Sequence, residues 1–196
     1  MRAWIVASLA FAVLTLSGCG YNTLQAKDEG VKAAWAEVVN QYQRRADLIP
    51  NLVNTVKGYA AQEQRVLVEV TEARAKVGSI QVTPEVLNNP ELFQKYQAAQ
   101  SQLTGALKSL FAVAENYPQL KASEPFRHLQ ERISGLETAI ADRREVYNEA
   151  ANINNVRIAS FPDVLVAGLG DFPAVQLLHF EADQKADVDL KAAFSR

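Results

Sequence analysis

Residues 41–67, QYQRRADLIPNLVNTVKGYAAQEQRVL, form the centre of a long helical pattern. Apolar or aromatic residues fall at Val31, Trp35, Val38, Tyr42, Ala46, Ile49, Leu52, Val56, Tyr59, Val66, Val70, Ala73 and Val77. The steps alternate between three and four, apart from one gap at Glu63, which is the stripe of an amphipathic helix in a coiled-coil-like phase. Pro50 lies in the middle without shifting that phase. The pattern predicts one long helix from Leu24 to Val77, kinked at Pro50, because a proline removes one backbone bond and crowds the carbonyl four residues back, here Ala46. The competing reading is a restart, with Asp47 as N-cap and Pro50 in a new first turn.

Two more helices follow from the same logic. Asn89-Pro90-Glu91 is a cap, a first-turn proline and an N-terminal acid, and Leu92, Tyr96, Ala99, Leu103, Ala106, Leu110, Val113 and Tyr117 continue at helical spacing until Pro118. Ser123-Glu124-Pro125 opens a third helix, with a stripe through Phe126, Leu129, Ile133, Leu136, Ile140, Arg143, Tyr147, Ala150 and Asn154, ending near Phe161. Asp163 to Leu169 has room for a short fourth helix. The expected fold is therefore all-α: an elongated up-down-up bundle of three long helices with a short fourth, over residues 24–170. Residues 171–196 form an irregular tail whose charged end, from Ala182, is expected to fray.

The first eighteen residues have a different character. Arg2 and the free amine precede an uncharged, mostly apolar run from Trp4 to Leu16, shorter than the roughly 20 residues that span a bilayer. The run ends in Leu16-Ser17-Gly18-Cys19, which resembles the lipobox of bacterial lipoproteins. That resemblance implies a signal peptide over residues 1–18 and a diacylated Cys19, the single cysteine of the chain, followed by a short linker over residues 19–23. The alternative is an uncleaved N-terminal anchor. Gly20, in place of Asp after the cysteine, implies by the same resemblance the outer membrane facing the periplasm, with the inner membrane still open.

Composition excludes several functions. With 196 residues the chain is long enough for one domain with a core. A net charge of −2 with scattered basic residues does not suit a nucleic-acid binder. There is no G-x-S-x-G, H-E-x-x-H, phosphate loop or glycine-rich dinucleotide turn. His128 and Glu131 stand three apart on a helix, but no second histidine lies nearby to complete a metal site. No catalytic residue, metal or cofactor is expected.

Several blocks resemble the LemA family of bacterial membrane-anchored proteins. They are Tyr21-Asn22, Ala34-Trp35, Arg44-Arg45-Ala46-Asp47-Leu48-Ile49-Pro50-Asn51-Leu52-Val53, Val56-Lys57-Gly58-Tyr59-Ala60, Glu63, Ala73-Arg74, Glu115 to Ala122, Tyr147-Asn148, Phe161-Pro162 and Phe180-Glu181-Ala182. The family residues this singles out are Arg44, Arg45, Asp47, Pro50, Asn51, Tyr147, Asn148, Phe161 and Pro162. The resemblance implies an extracytoplasmic helical bundle without established enzymatic activity. Two departures stand out: Asn154-Asn155 replaces a second Tyr-Asn pair, and a lipobox replaces a transmembrane helix.

Three sites are expected to matter. If the three helices run up, down and up, Arg143 falls level with Glu63 to Leu67, at about 1.5 Å rise per residue. That predicts a Glu63–Arg143 pair, either a buried ion pair that sets register or the lining of a ligand pocket. The same count leaves Leu24 to Arg44 beyond the bundle, with Trp35, Val38 and Tyr42 on one apolar face. Such a face is rarely left in water; a partner, a second copy of the chain or Val175 to Phe180 must cover it. The expected role is a membrane-anchored, non-enzymatic envelope protein binding partners through its helical surface; the alternative is a module for a lipid or cell-wall fragment in a cleft between helices. Metabolic labelling with a fatty-acid analogue is expected to mark the wild-type chain and not Cys19→Ser; equal labelling of both would remove the lipoprotein reading.

Overall fold

The computed structural model describes the backbone of residues 2–179 and the side chains of Trp4 and residues 20–179. The expected fraying of the charged end, the Phe180-Glu181-Ala182 block and the side chain of Cys19 lie outside the described residues. Among the described residues every regular element is helical. The elements are α1 (Arg2–Tyr59), α2 (Gln64–Gly78), a short 3-10 helix (Pro84–Asn88), α3 (Pro90–Ala114), α4 (Pro118–Ala122), α5 (Glu124–Ala159) and α6 (Asp163–Gly170). The all-α expectation holds, but the order of directions differs.

The first helix does not reach Val77. It stays helical through Pro50 and stops at Tyr59, and residues 60–63 turn the chain back on itself. The reversal lies at the single gap in the apolar stripe. Ala60 is buried in the corner, and Glu63 N–H donates to the Ala60 carbonyl at 3.1 Å. The phase is preserved because α1 and α2 bury their stripes in one common core. Periodicity records which face is inward and not which way the helix runs. The bundle is consequently up-down-up-down, with α2 as an extra descending helix.

Pairs between helices establish these directions. Arg74 on α2 reaches Ala46 on α1, so the two run antiparallel from their turn. Phe93 lies against Trp35 and Thr104 against Arg45, so α3 runs parallel to α1. Tyr147 lies against Trp35 and Glu137 against Arg45, so α5 runs antiparallel. At the foot of the bundle α6 packs on Gly20, where an added Cβ would lie 3.2 Å from Asp163 Oδ1. The backbone of residues 19–23 is helical within α1. No helix among the described residues is long and apolar enough to cross a membrane.

The Asn89 signal forms as expected: its side chain accepts from Leu92 N–H at 3.1 Å and caps α3. At the end of α6 it is Asp171, and not a glycine, that turns left-handed, with φ 53°. Aspartate tolerates that region better than most residues.

The apolar face of Trp35, Val38 and Tyr42 is not a free surface. All three are buried, in one core with Phe93, Tyr96 and Tyr147. Trp35 alone meets three rings, with centroids 5.4 Å from Phe93, 6.0 Å from Tyr96 and 5.4 Å from Tyr147. Val175 and Leu178 of the tail are buried in the same core. Residues 172–179 have no regular secondary structure and are bound tightly to α5. Asn155 holds both backbone groups of Val175 at 2.9 Å, and Asn148 holds both of Leu178 at 2.8 Å. Tyr147 donates its hydroxyl to the Gln176 carbonyl at 2.5 Å.

Pro50 leaves the Ala46 carbonyl without its helical donor. Arg74 Nε supplies one instead, at 2.9 Å. This cross-helix bond explains how α1 carries a proline in its interior without breaking. Arg74→Met is expected to cost about 1.5–3 kcal/mol, the range for a hydrogen bond with a charged partner. In a Pro50→Ala background the restored amide should satisfy the carbonyl, so the same change should cost less. Chemical denaturation of the four variants measures this; equal costs in both backgrounds would show that the bond does not compensate for the proline.

Candidate functional site

Arg45 is the centre of the bundle's polar interior. It stands on the inward stripe of α1, one position after the exposed Arg44, and is only 1% exposed. Nη1 donates to Glu137 Oε1 on α5 at 2.5 Å and to Thr104 Oγ1 on α3 at 2.8 Å. Nη2 donates to Gln100 Oε1 on α3 at 2.7 Å. The guanidinium also lies 5.3 Å from the ring centroid of Tyr42, within cation–π range. One side chain thus joins three helices. The fork geometry of arginine allows this, and a lysine could not match it.

Glu137 keeps a side-chain exposure of 34%, so its carboxylate reaches a cleft between α3 and α5. The cleft has a volume of about 700 Å³ and is lined also by Gln97, Ser101, Thr104, Lys108, Thr138, Ile140 and Arg144. Burial pushes the Tyr96 hydroxyl up to about 12 and raises that of Tyr42 and Tyr147. A buried phenol is harder to ionise because its charged form is penalised by desolvation. These hydroxyls therefore stay neutral donors through the physiological range. Among the described residues no group of three or more His, Cys, Asp or Glu is placed to hold a metal. His128 and Glu131 are both exposed on α5.

The expected Glu63–Arg143 pair does not form. Glu63 lies at the α1–α2 turn, where it accepts from the Tyr117 hydroxyl at 2.8 Å. That bond raises the Tyr117 pKa, since the carboxylate stabilises the protonated phenol. Arg143 is exposed on α5, near the level of Trp35. The misplacement has two causes. The unforeseen reversal at residues 60–63 moved Glu63 to the far tip. On α5 the apolar stripe passes through Leu136, which packs at the edge of the core, whereas the buried residues are Ile133, Ile140, Arg144, Tyr147, Ala151 and Asn154, with Glu137 half-buried in the same line. Following apolar identity at Leu136 placed Arg143 inward in place of Arg144. Among the described residues, the ion pair that Arg45 makes in the bundle's interior is with Glu137, whose carboxylate is partly exposed.

The family residues divide by face. Arg45 and Tyr147 are buried; Arg44, Asp47, Pro50 and Asn51 lie on the outside of α1. Asn148 is a tail clamp, and Phe161-Pro162, joined by a cis peptide bond, forms the exposed corner between α5 and α6. Sequence reasoning missed Glu137, Asn155 and Arg74 as structural partners. The offset of seven between Asn148 and Asn155, which places both on one helix face, was the available signal.

A second feature lies on the outside, towards the Gly20 end. Val146, Ile153 and Val156 form an exposed row on α5. Val146 and Ile153 border a shallow groove of about 300 Å³ against α1, lined also by Ala26, Lys27, Gly30, Glu149 and Ala150. A Cβ added at Gly30 would touch nothing within 4 Å.

The Arg45–Glu137 pair makes a clear energetic test. Glu137→Gln leaves a buried guanidinium with no carboxylate and is expected to cost up to about 3–5 kcal/mol, towards the lower end because Glu137 is partly solvated. Arg45→Met with Glu137→Leu should cost less than the sum of the single changes. Additive losses in chemical denaturation would show that the two side chains do not interact.

The LemA family model matches residues 34–192. The chain is similar to two magnetosome proteins of Paramagnetospirillum magneticum, MamQ 1 and MamQ 2. Each is 28% identical over 158 residues, covering 72% of this chain and 58% of the relative. It is also similar to the magnetosome protein MamQ of Magnetospirillum gryphiswaldense, at 26% identity over 195 residues, covering 91% of this chain and 71% of the relative. The match to the first two thus spans less than two thirds of their length. With most of its length under one family model, the chain belongs to the LemA family.

Proposed function

We propose that this chain is a non-enzymatic envelope protein, held at the membrane through Cys19, that binds a partner protein on the outer face of its bundle. The observation that carries this is the exposed row Val146, Ile153 and Val156 beside the groove floored by Ala26, Gly30 and Ala150. The face expected to bind partners is consumed by the core and tail, so the binding role moves to this outward row. A row of apolar side chains beside a groove of small residues edged by Lys27 and Glu149 suits an amphipathic helix laid against it. The relatives are named for a cellular body, the magnetosome, and not for a reaction, which agrees with an organising role.

A second reading rests on the cleft between α3 and α5. Polar groups from three helices converge there around Arg45 and Glu137. In this reading the cleft holds a lipid headgroup or a cell-wall fragment.

Site-specific photocross-linking in the native envelope separates the two. A cross-linker at Ile153 is expected to trap a protein, and one at Ser101 in the cleft is expected to trap nothing. The trapped protein, once purified, should bind the wild-type chain and not a Val146→Glu/Ile153→Glu variant of unchanged melting temperature. A glycan or lipid adduct at Ser101 with nothing at Ile153 would replace the first reading with the second.

A further inference from the structure

We infer that α6 and the corner before it form a second contact with the lipid bilayer, beside the N-terminal anchor. The inference rests on the anchoring part of the function proposed above. It begins with the composition of α6. After Asp163 the helix reads Val164-Leu165-Val166-Ala167-Gly168-Leu169-Gly170, with no polar side chain. Ala167 and Val166 face the bundle. The opposite face is equally apolar and is open: Leu165 is 62% exposed and Leu169 91% exposed, with Phe161 in the adjoining corner at 82%. A helix that is apolar all round belongs in a core or in lipid. This one has a core on one side alone.

Position selects lipid as the occupant. The helix packs at Gly20, where a Cβ would lie 3.6 Å from Val166 and 3.2 Å from Asp163. Gly20 follows Cys19 directly, and the apolar run ends at Leu16, about 6 Å further along the same helix at its usual rise. Whichever anchor operates, acyl chains on Cys19 or the apolar run itself, the bilayer surface must lie within a turn or two of α6. Each headgroup zone is about 5–8 Å deep, half the difference between roughly 40–45 Å overall and 30 Å of hydrocarbon, which matches that offset. An interfacial helix lies in that zone with its apolar face submerged.

The aromatic residues at the same level fit the assignment. Tyr21 on α1 is partly exposed and packs edge-on against Phe172, with ring centroids 5.4 Å apart. Rings with one apolar and one polar end are favoured at the headgroup level. Of the charges nearby, Arg157 pairs with Asp163 at the inner edge of α6, and the exposed Asp171 follows the last turn, where its carboxylate can stay among the headgroups. Nothing charged on α6 itself therefore opposes insertion of Leu165 and Leu169.

The test uses the full chain reconstituted into vesicles of phosphatidylethanolamine and phosphatidylglycerol. Benzoylphenylalanine replaces Leu169 in one sample and Gln62, at the opposite tip of the bundle, in another. Flotation reports the anchor; phospholipid adducts after illumination report the contact. The expected result is flotation of both samples, with an adduct from position 169 and none from position 62. Leu165→Asp in the first sample should abolish the adduct without changing the melting temperature. Flotation with no adduct at 169 would overturn the contact and leave the anchor standing. Adducts from both positions would overturn a contact confined to this end, and a protein adduct at 169 would assign the face to a protein. Absence of flotation would overturn the anchor and the contact together.

Discussion

The guanidinium of Arg45 is the constraint on which the bundle's arrangement turns. It is buried, it offers only donors, and it must find acceptors inside. Those partners come from α3 and α5, which places both helices at fixed heights against α1. A purely apolar interface would tolerate sliding by a helical turn, because one leucine fits the slot of the next. An arginine bonded to Thr104, Gln100 and Glu137 has a single register that satisfies all three. Its net effect on stability is modest, since the desolvation penalty offsets much of the attraction. Its effect on alignment is large, because every shifted register leaves a buried charge unpaired.

Alignment at Arg45 sets up the aromatic core below it. Three turns towards Gly20, Trp35 meets Phe93, Tyr96 and Tyr147, and the tail closes over them through Val175 and Leu178. Residues 172–179 have no regular structure with which to satisfy their own amides and carbonyls. Buried backbone groups require partners, and Asn148 and Asn155 provide them in pairs. Each asparagine acts as the edge of a strand would, donating and accepting on one residue. Tyr147 adds a hydroxyl to the same strap. At the position equivalent to Tyr147 one heptad on, Asn154 is buried with no partner for its amide among the described residues. An amide at that position removes a ring from the core and adds no bond to the strap.

Much of this was legible in the sequence, and the failures have definite physical causes. Helix ends announced by local chemistry, such as Asn89-Pro90-Glu91, were correctly placed because a cap acts within one turn. The reversal at residues 60–63 was not, because two antiparallel helices sharing one core keep a common apolar phase. The gap at Glu63 marked the turn, but a polar residue in a stripe looks the same whether it is buried or at a corner. Pro50 was correctly expected to leave α1 unbroken. What the sequence could not show was its compensation by Arg74, a partner 28 residues away whose approach depends on that unforeseen reversal. The one-residue slip on α5 has a different origin. Patterning assigns Leu136 inward over Glu137, yet the helix turns Glu137 towards Arg45. Residues that pair across the core violate the pattern that builds the core, so the central ion pair was the least visible part of the site.

The same internal pairing bears on how the protein can act. A ligand cleft functions by offering donors and acceptors that its own walls leave open. In the cleft between α3 and α5, both Nη atoms of Arg45 are committed to Thr104, Glu137 and Gln100. Arg144 and Gln97, on its rim, both donate to the carbonyl of His179 and so hold the tail at that residue. A ligand would have to displace these bonds, exchanging intramolecular partners for its own. Net gains from such exchanges are small, because each new bond replaces one already made. The outer row on α5 carries no such commitment: Val146, Ile153 and Val156 already face solvent, and covering them releases water without breaking anything inside. On energetic grounds the outer face is therefore the better binding surface, and the polar interior serves to hold that face, the tail and the Gly20 end in one fixed relation.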